Sequence, residues 1–366
     1  MFDPDFATLS ALGLTPALAS RAAAAAANVD AATEAGQCTL YRLAEVHRET
    51  VVVHDGRAGR SARPTPKLRR ALADADGALV VGDWVLGGVN ASGETWIEAR
   101  VEPSSVIVRR DGDGHRHPVV SNVDTALLVM GLDDDFNPRR MERYLALVHD
   151  SEVLPVVVLT KADVIADDPR RLRAQIESLR HRIANDVDVV AVNAMETNAK
   201  TALEPYLGRG QTLVMLGSSG AGKSTLTNTL LGSAVQDTGA VREHDSRGKH
   251  TTTARSLHLL PGGACVIDTP GVRTLRPDTG EASIAAAFAD IAALAIHCRF
   301  RDCGHHGEPG CAVRAALDAD RLRNYHKLLR ESRRDTLTAL DRQKQVAEWK
   351  ARGRAARERM RDKRGE

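Results

Sequence analysis

Thr212-Leu213-Val214-Met215-Leu216-Gly217-Ser218-Ser219-Gly220-Ala221-Gly222-Lys223-Ser224 runs from an apolar, strand-like pentamer into a glycine-rich turn. A backbone that curls round a phosphate needs glycine where a Cβ would collide with the anion. Gly217 and Gly222 meet that need, and Ser218, Ser219, Gly220 and Ala221 between them present amides. Lys223 then offers an ammonium to the β and γ phosphates and Ser224 a hydroxyl to Mg²⁺. The helix expected from Ser224 and Thr225 to Leu231, ending near Gly232, aims its N-terminal dipole at the same point. Strand, phosphate loop and helix in that order belong to an α/β nucleotide-binding sheet.

Working outward, apolar strands alternate with helical stretches from about Asn122. The strands expected are Thr125 to Met130, Leu154 to Leu159, Val187 to Val192, Thr212 to Leu216, Ser256 to Leu260 and Ala264 to Ile267. Asp168 and Pro169 sign the start of a helix over Arg170 to Ala184. Upstream of the phosphate loop, Thr160-Lys161-Ala162-Asp163 closes a strand. Asp163 can accept hydrogen bonds from guanine N1–H and its 2-amino group while the stem of Lys161 lies along the base. Adenine would turn an acceptor toward that carboxylate, so guanine is preferred. Asn193-Ala194, after the next strand, can give a backbone amide to guanine O6.

Downstream, Asp268-Thr269-Pro270-Gly271 ends a buried strand with an acid. Asp268 can hold Mg²⁺ through water, and the Gly271 amide can meet the γ phosphate. Between the two motifs a polar segment, Gln236 to His250, ends in His250-Thr251-Thr252-Thr253. Thr252 is the expected Mg²⁺ ligand, with Thr251 as its rival. Further on, Cys298-x4-Cys303-x-His305-x5-Cys311 supplies three thiolates and an imidazole within 14 residues, a closed tetrahedral set suited to one structural Zn²⁺, with His306 as an alternative imidazole. Cys38 and Cys265 read as ordinary buried thiols.

The guanine element thus precedes the phosphate loop, the reverse of the usual order. That order resembles the circularly permuted GTPases. Arg247-Gly248-Lys249-His250-Thr251-Thr252-Thr253, Asp268-Thr269-Pro270-Gly271 and the Cys/His knot resemble the RsgA (YjeQ) family of small-ribosomal-subunit biogenesis GTPases, from about Cys38 to Leu340. Thr160 stands where that family more often has Asn, Asn193 where Ser is usual, and Lys249 where Arg is common. The family spacing selects His305 over His306. The resemblance implies hydrolysis of GTP to GDP and phosphate by an assembly or maturation factor of the small (30S) ribosomal subunit, acting through rRNA. Val272, after Gly271, cannot orient the attacking water, so His250 is expected to do so, with Lys223 and Gly271 stabilising charge on the γ phosphate.

The rest of the chain fits that frame. Short alternating segments, Gly36 to Leu43, Thr50 to His54, Val80 to Leu86 and Thr95 to Val101, suggest a small OB-like β-barrel, with Arg57, Arg60, Arg63, Lys67, Arg69 and Arg70 on an exposed basic loop. The expected units are an N-terminal extension (1–36), helical or mobile; the barrel (37–118); the permuted GTPase domain (119–275); a helical zinc-binding domain (276–340); and a basic tail (341–366). The 366 residues, 43% hydrophobic and 27% charged, exclude global disorder, and with 3% aromatics phosphate contact outranks base stacking. From Arg342 to Glu366, 10 Lys or Arg stand against 4 Asp or Glu, a charge excess suited to nucleic acid. No stretch suits a bilayer or signal peptide, so a cytoplasmic monomer with no membrane partner is expected. Two other readings are a metabolic P-loop ATPase or kinase, and a non-enzymatic RNA-binding scaffold with a structural nucleotide.

Overall fold

The computed structural model describes residues 4–29, 38–110, 115–183, 186–233, 255–270, 276–277 and 280–335. The tail, 341–366, lies outside them.

Two capped helices open the chain. Asp5 accepts the Thr8 amide at 3.1 Å ahead of α1 (Phe6–Leu9), and Thr15 accepts the Leu18 amide at 3.2 Å ahead of α2 (Pro16–Ala27). Leu9, Leu12, Leu14, Leu18 and Ala22 are buried in one core with Leu40 and Trp84 of the barrel and Ala126, Leu128 and Met130 of the parallel sheet. The N-terminal segment is therefore an integral layer where it is described. Its amphipathic face escaped the sequence pattern because alanine is both the best helix former and a small apolar residue that suits either face.

β1 (Thr39–Val46), β2 (Val51–His54), β3 (Gly59–Pro64), β4 (Trp84–Val89) and β5 (Thr95–Arg100) form the barrel. They follow the order β1-β2-β3-β5-β4, with β4 returning to β1, and β3 and β5 make its parallel pair. α3 (Pro66–Asp74), capped by Thr65, joins β3 to β4. This is an OB-like closure around Tyr41, Leu43, Val53, Val85 and Ile97. Of the expected basic loop, Arg57 does lie in a turn, but Arg60 and Arg63 are in β3 and Lys67, Arg69 and Arg70 in α3. Arg60 pairs with Asp55 at 2.8 Å, and Arg69 donates to the Glu49 carbonyl at 2.9 Å. Cationic side chains on a short strand and a capped helix read as loop when only their charge is weighed.

The hairpin β6 (Val106–Arg110) and β7 (Arg116–Ser121) follows the barrel. The division drawn at 118/119 falls inside β7. Next come β8 (Thr125–Gly131), α4 (Pro138–His149), β9 (Leu154–Thr160), α5 (Pro169–Arg180), β10 (Asp188–Ala191), α6 (Asn198–Leu203), β11 (Thr212–Gly217), α7 (Lys223–Leu231), β12 (Ser256–Leu259) and β13 (Cys265–Asp268). Strands β10-β9-β8-β11-β13 are parallel, and β12 runs antiparallel beside β13. β8 is buried along its whole length. Leu127 and Val129 face one core and Ala126, Leu128 and Met130 the other, the two-sided burial of a strand covered by helices on both faces. β14 (Arg276–Pro277) returns to pair with β6.

One buried side chain fastens these layers. Arg42 of β1, fully buried, donates to the carbonyls of Gly82 (3.0 Å), Asn122 (2.7 Å) and Leu12. It thereby ties the barrel, the entry to β8 and the N-terminal segment with donors that apolar residues cannot supply.

The last part is helical: α8 (Glu281–Ala287), α9 (Ala289–Ala295), α10 (Ala312–Ala316) and α11 (Ala319–Asp335), around a small core of Ile284, Phe288, Ile291, Val313, Leu322 and Leu328. It docks on α4 and the end of α5 largely through charge. The Glu142 carboxylate, wholly buried, receives Arg321 at 2.7 Å and Arg182 at 3.5 Å and is also bonded by Asn324. Arg321 reaches Asp290 at 2.7 Å as well.

Candidate nucleotide site and metal-binding cluster

The parallel strands deliver their C-terminal ends to one rim, where ligands bind in open α/β sheets. β11 ends at Gly217, whose Cβ, if present, would lie 2.4 Å from the Val129 carbonyl of β8, so the loop can leave the sheet only as glycine. Gly222 closes the turn at φ 90°, and α7 begins at Lys223. The Lys223 ammonium is folded into the loop it serves, donating to the carbonyls of Gly217 (3.0 Å) and Ser218 (2.7 Å). Burial lowers its pKa to about 8, against the opposing pull of the Asp268 and Asp135 carboxylates. Ser224 Oγ donates to Asp268 Oδ2 at 3.2 Å, so two of the three expected Mg²⁺ residues already adjoin. Ser219 and Gly220 are exposed at the loop tip, and Thr225 is half-buried in the first turn of α7.

Thr160 ends β9 against the phosphate loop: its hydroxyl donates to the Ala221 carbonyl at 2.6 Å, and the side chain packs over the open face of Gly222. A threonine can thus join the base element to the phosphate loop through one short hydrogen bond. Lys161 follows at φ 59°, and a 3-10 turn from Ala162 to Ile165 leaves Asp163 exposed at the rim. The Asn193–Ala194 loop abuts this turn, the Ala162 amide donating to the Val192 carbonyl at 3.3 Å. Asn193 secures its own loop, accepting the Met195 amide at 3.1 Å and donating to Glu196 at 2.8 Å. His250, Thr251, Thr252 and Gly271 lie outside the described residues.

Three contributors were not foreseen. Thr229 of α7 donates to the Ala194 carbonyl at 2.6 Å, linking the base loop to the phosphate-loop helix. Asp133 holds the Lys161 ammonium at 2.6 Å, and Asp135 receives the Ser218 hydroxyl at 2.6 Å. Their position past the end of a parallel strand was the available signal, but an Asp-Asp-Asp run in a turn reads as solvated.

In the helical part, the donor atoms of Cys298, Cys303, His305 and Cys311 all lie within 4.8 Å of one another, and these residues could hold a metal ion. Cys298 Sγ lies 4.0 Å from Cys311 Sγ, and His305 Nδ1 lies 3.5 Å from Cys311 Sγ. A tetrahedral ion about 2.0–2.3 Å from such donors sets them about 3.3–3.8 Å apart, so the cluster fits with little contraction. His305 takes φ 60° to turn inward, while His306 stacks on His326 at 4.1 Å, which decides between the two imidazoles. Glu308 fixes the knuckle by accepting the amides of Gly304, His306 and Gly307. Those bonds, Gly307 first, draw its carboxyl down to about 2. The Val313 and Ala312 amides at the start of α10 lower the Cys298 thiol, while burial pushes the neighbouring Cys303 thiol up to about 11.

A family profile described as RsgA GTPase matches residues 101–277. A Xanthomonas axonopodis pv. citri protein named small ribosomal subunit biogenesis GTPase RsgA is 46% identical over 340 residues, covering 90% of this chain and 89% of its own. The chain belongs to the RsgA GTPase family. A Xanthomonas campestris pv. campestris (strain B100) RsgA is 47% identical over 304 residues, covering 80% of each chain. In fold, the chain is similar to YjeQ from Thermotoga maritima (TM-score 0.54, 23% identity, 81% of this chain and 98% of that one). It is likewise similar to YloQ, described as a circularly permuted GTPase (TM-score 0.55, 21% identity, 84% and 99%). The permuted order read from Thr160 to Asp268 is therefore that of an RsgA-type GTPase.

Proposed function

We propose that this chain hydrolyses GTP to GDP and phosphate as an assembly factor of the small (30S) ribosomal subunit, working through contact with its rRNA. The observation that carries the reading is the Lys223 ammonium, desolvated and bonded to the loop carbonyls of Gly217 and Ser218. Such a cation is held at a cost that an incoming phosphate relieves.

The reaction is phosphoryl transfer to water, in which positioning and charge stabilisation carry the rate. Gly217 to Thr225 bind the phosphates, and Lys223 spreads the charge that develops on the γ group. Asp163 accepts from guanine, the Lys161 stem covers it, and Asn193–Ala194 close over O6, with Thr160 holding the two halves together. Ser224, Asp268 and Thr252, with Thr251 as alternative, are the residues that hold Mg²⁺, which neutralises phosphate charge when bound with GTP. The Gly271 amide meets the γ phosphate and His250 orients water. Cys298, Cys303, His305 and Cys311 hold one structural Zn²⁺, because three thiolates and an imidazole leave no open position.

A cleft of about 1010 Å³ between α4 and α11 supports the rRNA contact. Arg314, Lys327 and Arg330 line it, together with Arg139 and Arg143, which pair with Asp320 and Glu331. Among those residues no helix is long and apolar enough to cross a membrane, and we place the protein in the cytoplasm as a monomer. The units 1–36, 37–118, 119–275, 276–340 and 341–366 remain our proposed division, with β7 straddling the second boundary. Co-sedimentation with small ribosomal subunits, with GTP turnover measured in the same samples, tests this function. Turnover that rises with subunits and is lost in Lys223→Ala is expected. Equal competition by ATP, or no turnover on subunits, overturns the reading. Normal subunit-stimulated hydrolysis by His250→Ala removes His250 from it.

A further inference from the structure

The turn from β8 to α4, Leu132-Asp133-Asp134-Asp135-Phe136-Asn137, is tightly braced. The Leu132 amide donates to the Thr160 carbonyl at 3.0 Å, the Asp135 amide to Asp133 Oδ1 at 3.2 Å, and Asn137 caps α4 through the Arg140 amide at 3.2 Å. Asp135 is fixed from three sides by the Ser218 hydroxyl, the Gly131 amide at 3.2 Å and the Arg140 guanidinium at 2.5 Å. On this frame Asp133 holds the ammonium of Lys161.

Lys161 has two features that give that ion pair a purpose. Its backbone sits at φ 59°, a conformation L residues rarely adopt, which points a long flexible side chain off the end of β9. Two residues on is Asp163, exposed and of opposite charge. An ammonium free to swing would pair with that carboxylate and occupy the acceptors that guanine N1–H and the 2-amino group require.

We propose that Asp133 is a positioning residue of the guanine-nucleotide site: it keeps the Lys161 ammonium away from Asp163 and lays the lysine stem flat for the base, with Asp135 anchoring the same turn to the phosphate loop. This rests on the guanine-site reading above. Neutralising Asp133 leaves the phosphate loop intact, so it weakens base capture and spares the chemical step. Lys161 is the intermediary, so removing its ammonium makes Asp133 irrelevant.

The test is fluorescence titration of the full chain with labelled GDP, together with GTP turnover, for wild type, Asp133→Asn, Asp133→Glu, Lys161→Met and the Asp133→Asn/Lys161→Met double variant. Lys223→Ala serves as reference, and thermal melting reports folding. Asp133→Asn is expected to weaken GDP about tenfold, the scale of one charge-assisted hydrogen bond, and to raise the KM for GTP with kcat within about twofold. Asp133→Glu restores part of the loss, and the double variant binds like Lys161→Met alone. Unchanged affinity in Asp133→Asn, or losses that add in the double variant, overturns the proposal. Wild-type GDP affinity in Lys223→Ala would instead overturn the nucleotide site itself.

Discussion

The GTPase sheet and its helices meet their two neighbours by different means. Toward the barrel the contact is a shared apolar core, from Leu9 and Leu18 through Leu40 and Trp84 to Leu128 and Met130, fastened by Arg42. Toward the metal-cluster helices it is mostly ionic, with the wholly buried Glu142 between Arg321 and Arg182 and further pairs such as Arg143–Glu331 at 2.6 Å. Apolar burial is non-directional and cooperative, so the first junction behaves as one body. A charge junction holds only in one geometry and can be exchanged for water. The two junctions should therefore fail separately, the charged one without disturbing the barrel.

Chelating a metal held by Cys298, Cys303, His305 and Cys311 should have the largest effect and the most local one. Structural zinc contributes on the order of 10 kcal/mol to small metal-dependent folds, and chelation should loosen 298–335. By hydrogen exchange, protection of α10 and α11 is lost while β8 and the barrel keep theirs. Simultaneous loss in the barrel would break the contrast. Arg42→Met should come next. It leaves the carbonyls of Leu12, Gly82 and Asn122 without their donor and costs about 3–5 kcal/mol, lowering a single melting transition of barrel and sheet together. Two separate transitions would show that the shared core does not unite them.

Glu142→Ala strips Arg321 and Arg182 of a buried counter-charge and should cost about 2–4 kcal/mol, read as undocking of α11 with the sheet still folded. Small-angle scattering that stays unchanged would mean that apolar contacts hold this junction too. A fourth experiment asks whether the nucleotide pocket is as preformed as the barrel junction. With its pKa lowered from 10.5 to about 8, Lys223 loses its proton in the folded protein before it does so in the unfolded chain. Stability of the nucleotide-free protein should therefore rise with pH between those values, while GDP affinity falls by up to about tenfold per unit above about 8, with proton uptake on binding. Affinity flat from pH 7 to 9 would contradict a desolvated lysine. Thr160→Val keeps the packing on Gly222 but deletes the bond to Ala221, and should weaken GDP by about 1 kcal/mol in the same titration. No change would mean that the base element and phosphate loop are held together by packing alone.

What could be read beforehand follows the same contrast. β11, Gly217, Gly222 and Lys223 were legible because an apolar run, obligatory glycines and one cation at fixed spacing are dictated by the phosphate itself. The metal donors were legible because thiolates in close spacing have few other uses. Arg42, Asp133 and Glu142 were not. Each is a common charged residue in an ordinary strand, turn or helix, and its role comes from partners at 80, 28 and 179 residues' remove, which no local pattern encodes. α3 was hidden by its own charge, because the apolar stripe of a short surface helix shrinks to little more than Leu68.

The antiparallel partner of β13 has one more consequence. β12 pairs on its other side with β1, at Ser256 opposite Glu45, so the parallel sheet ends by running into a closed barrel. A sheet end normally presents unpaired amides and carbonyls that can recruit a strand from another molecule. Here that end is capped within the chain, and the opposite edge is β10, a four-residue strand that begins with the charged Asp188. Neither end of the sheet thereby offers much for a stray strand to extend.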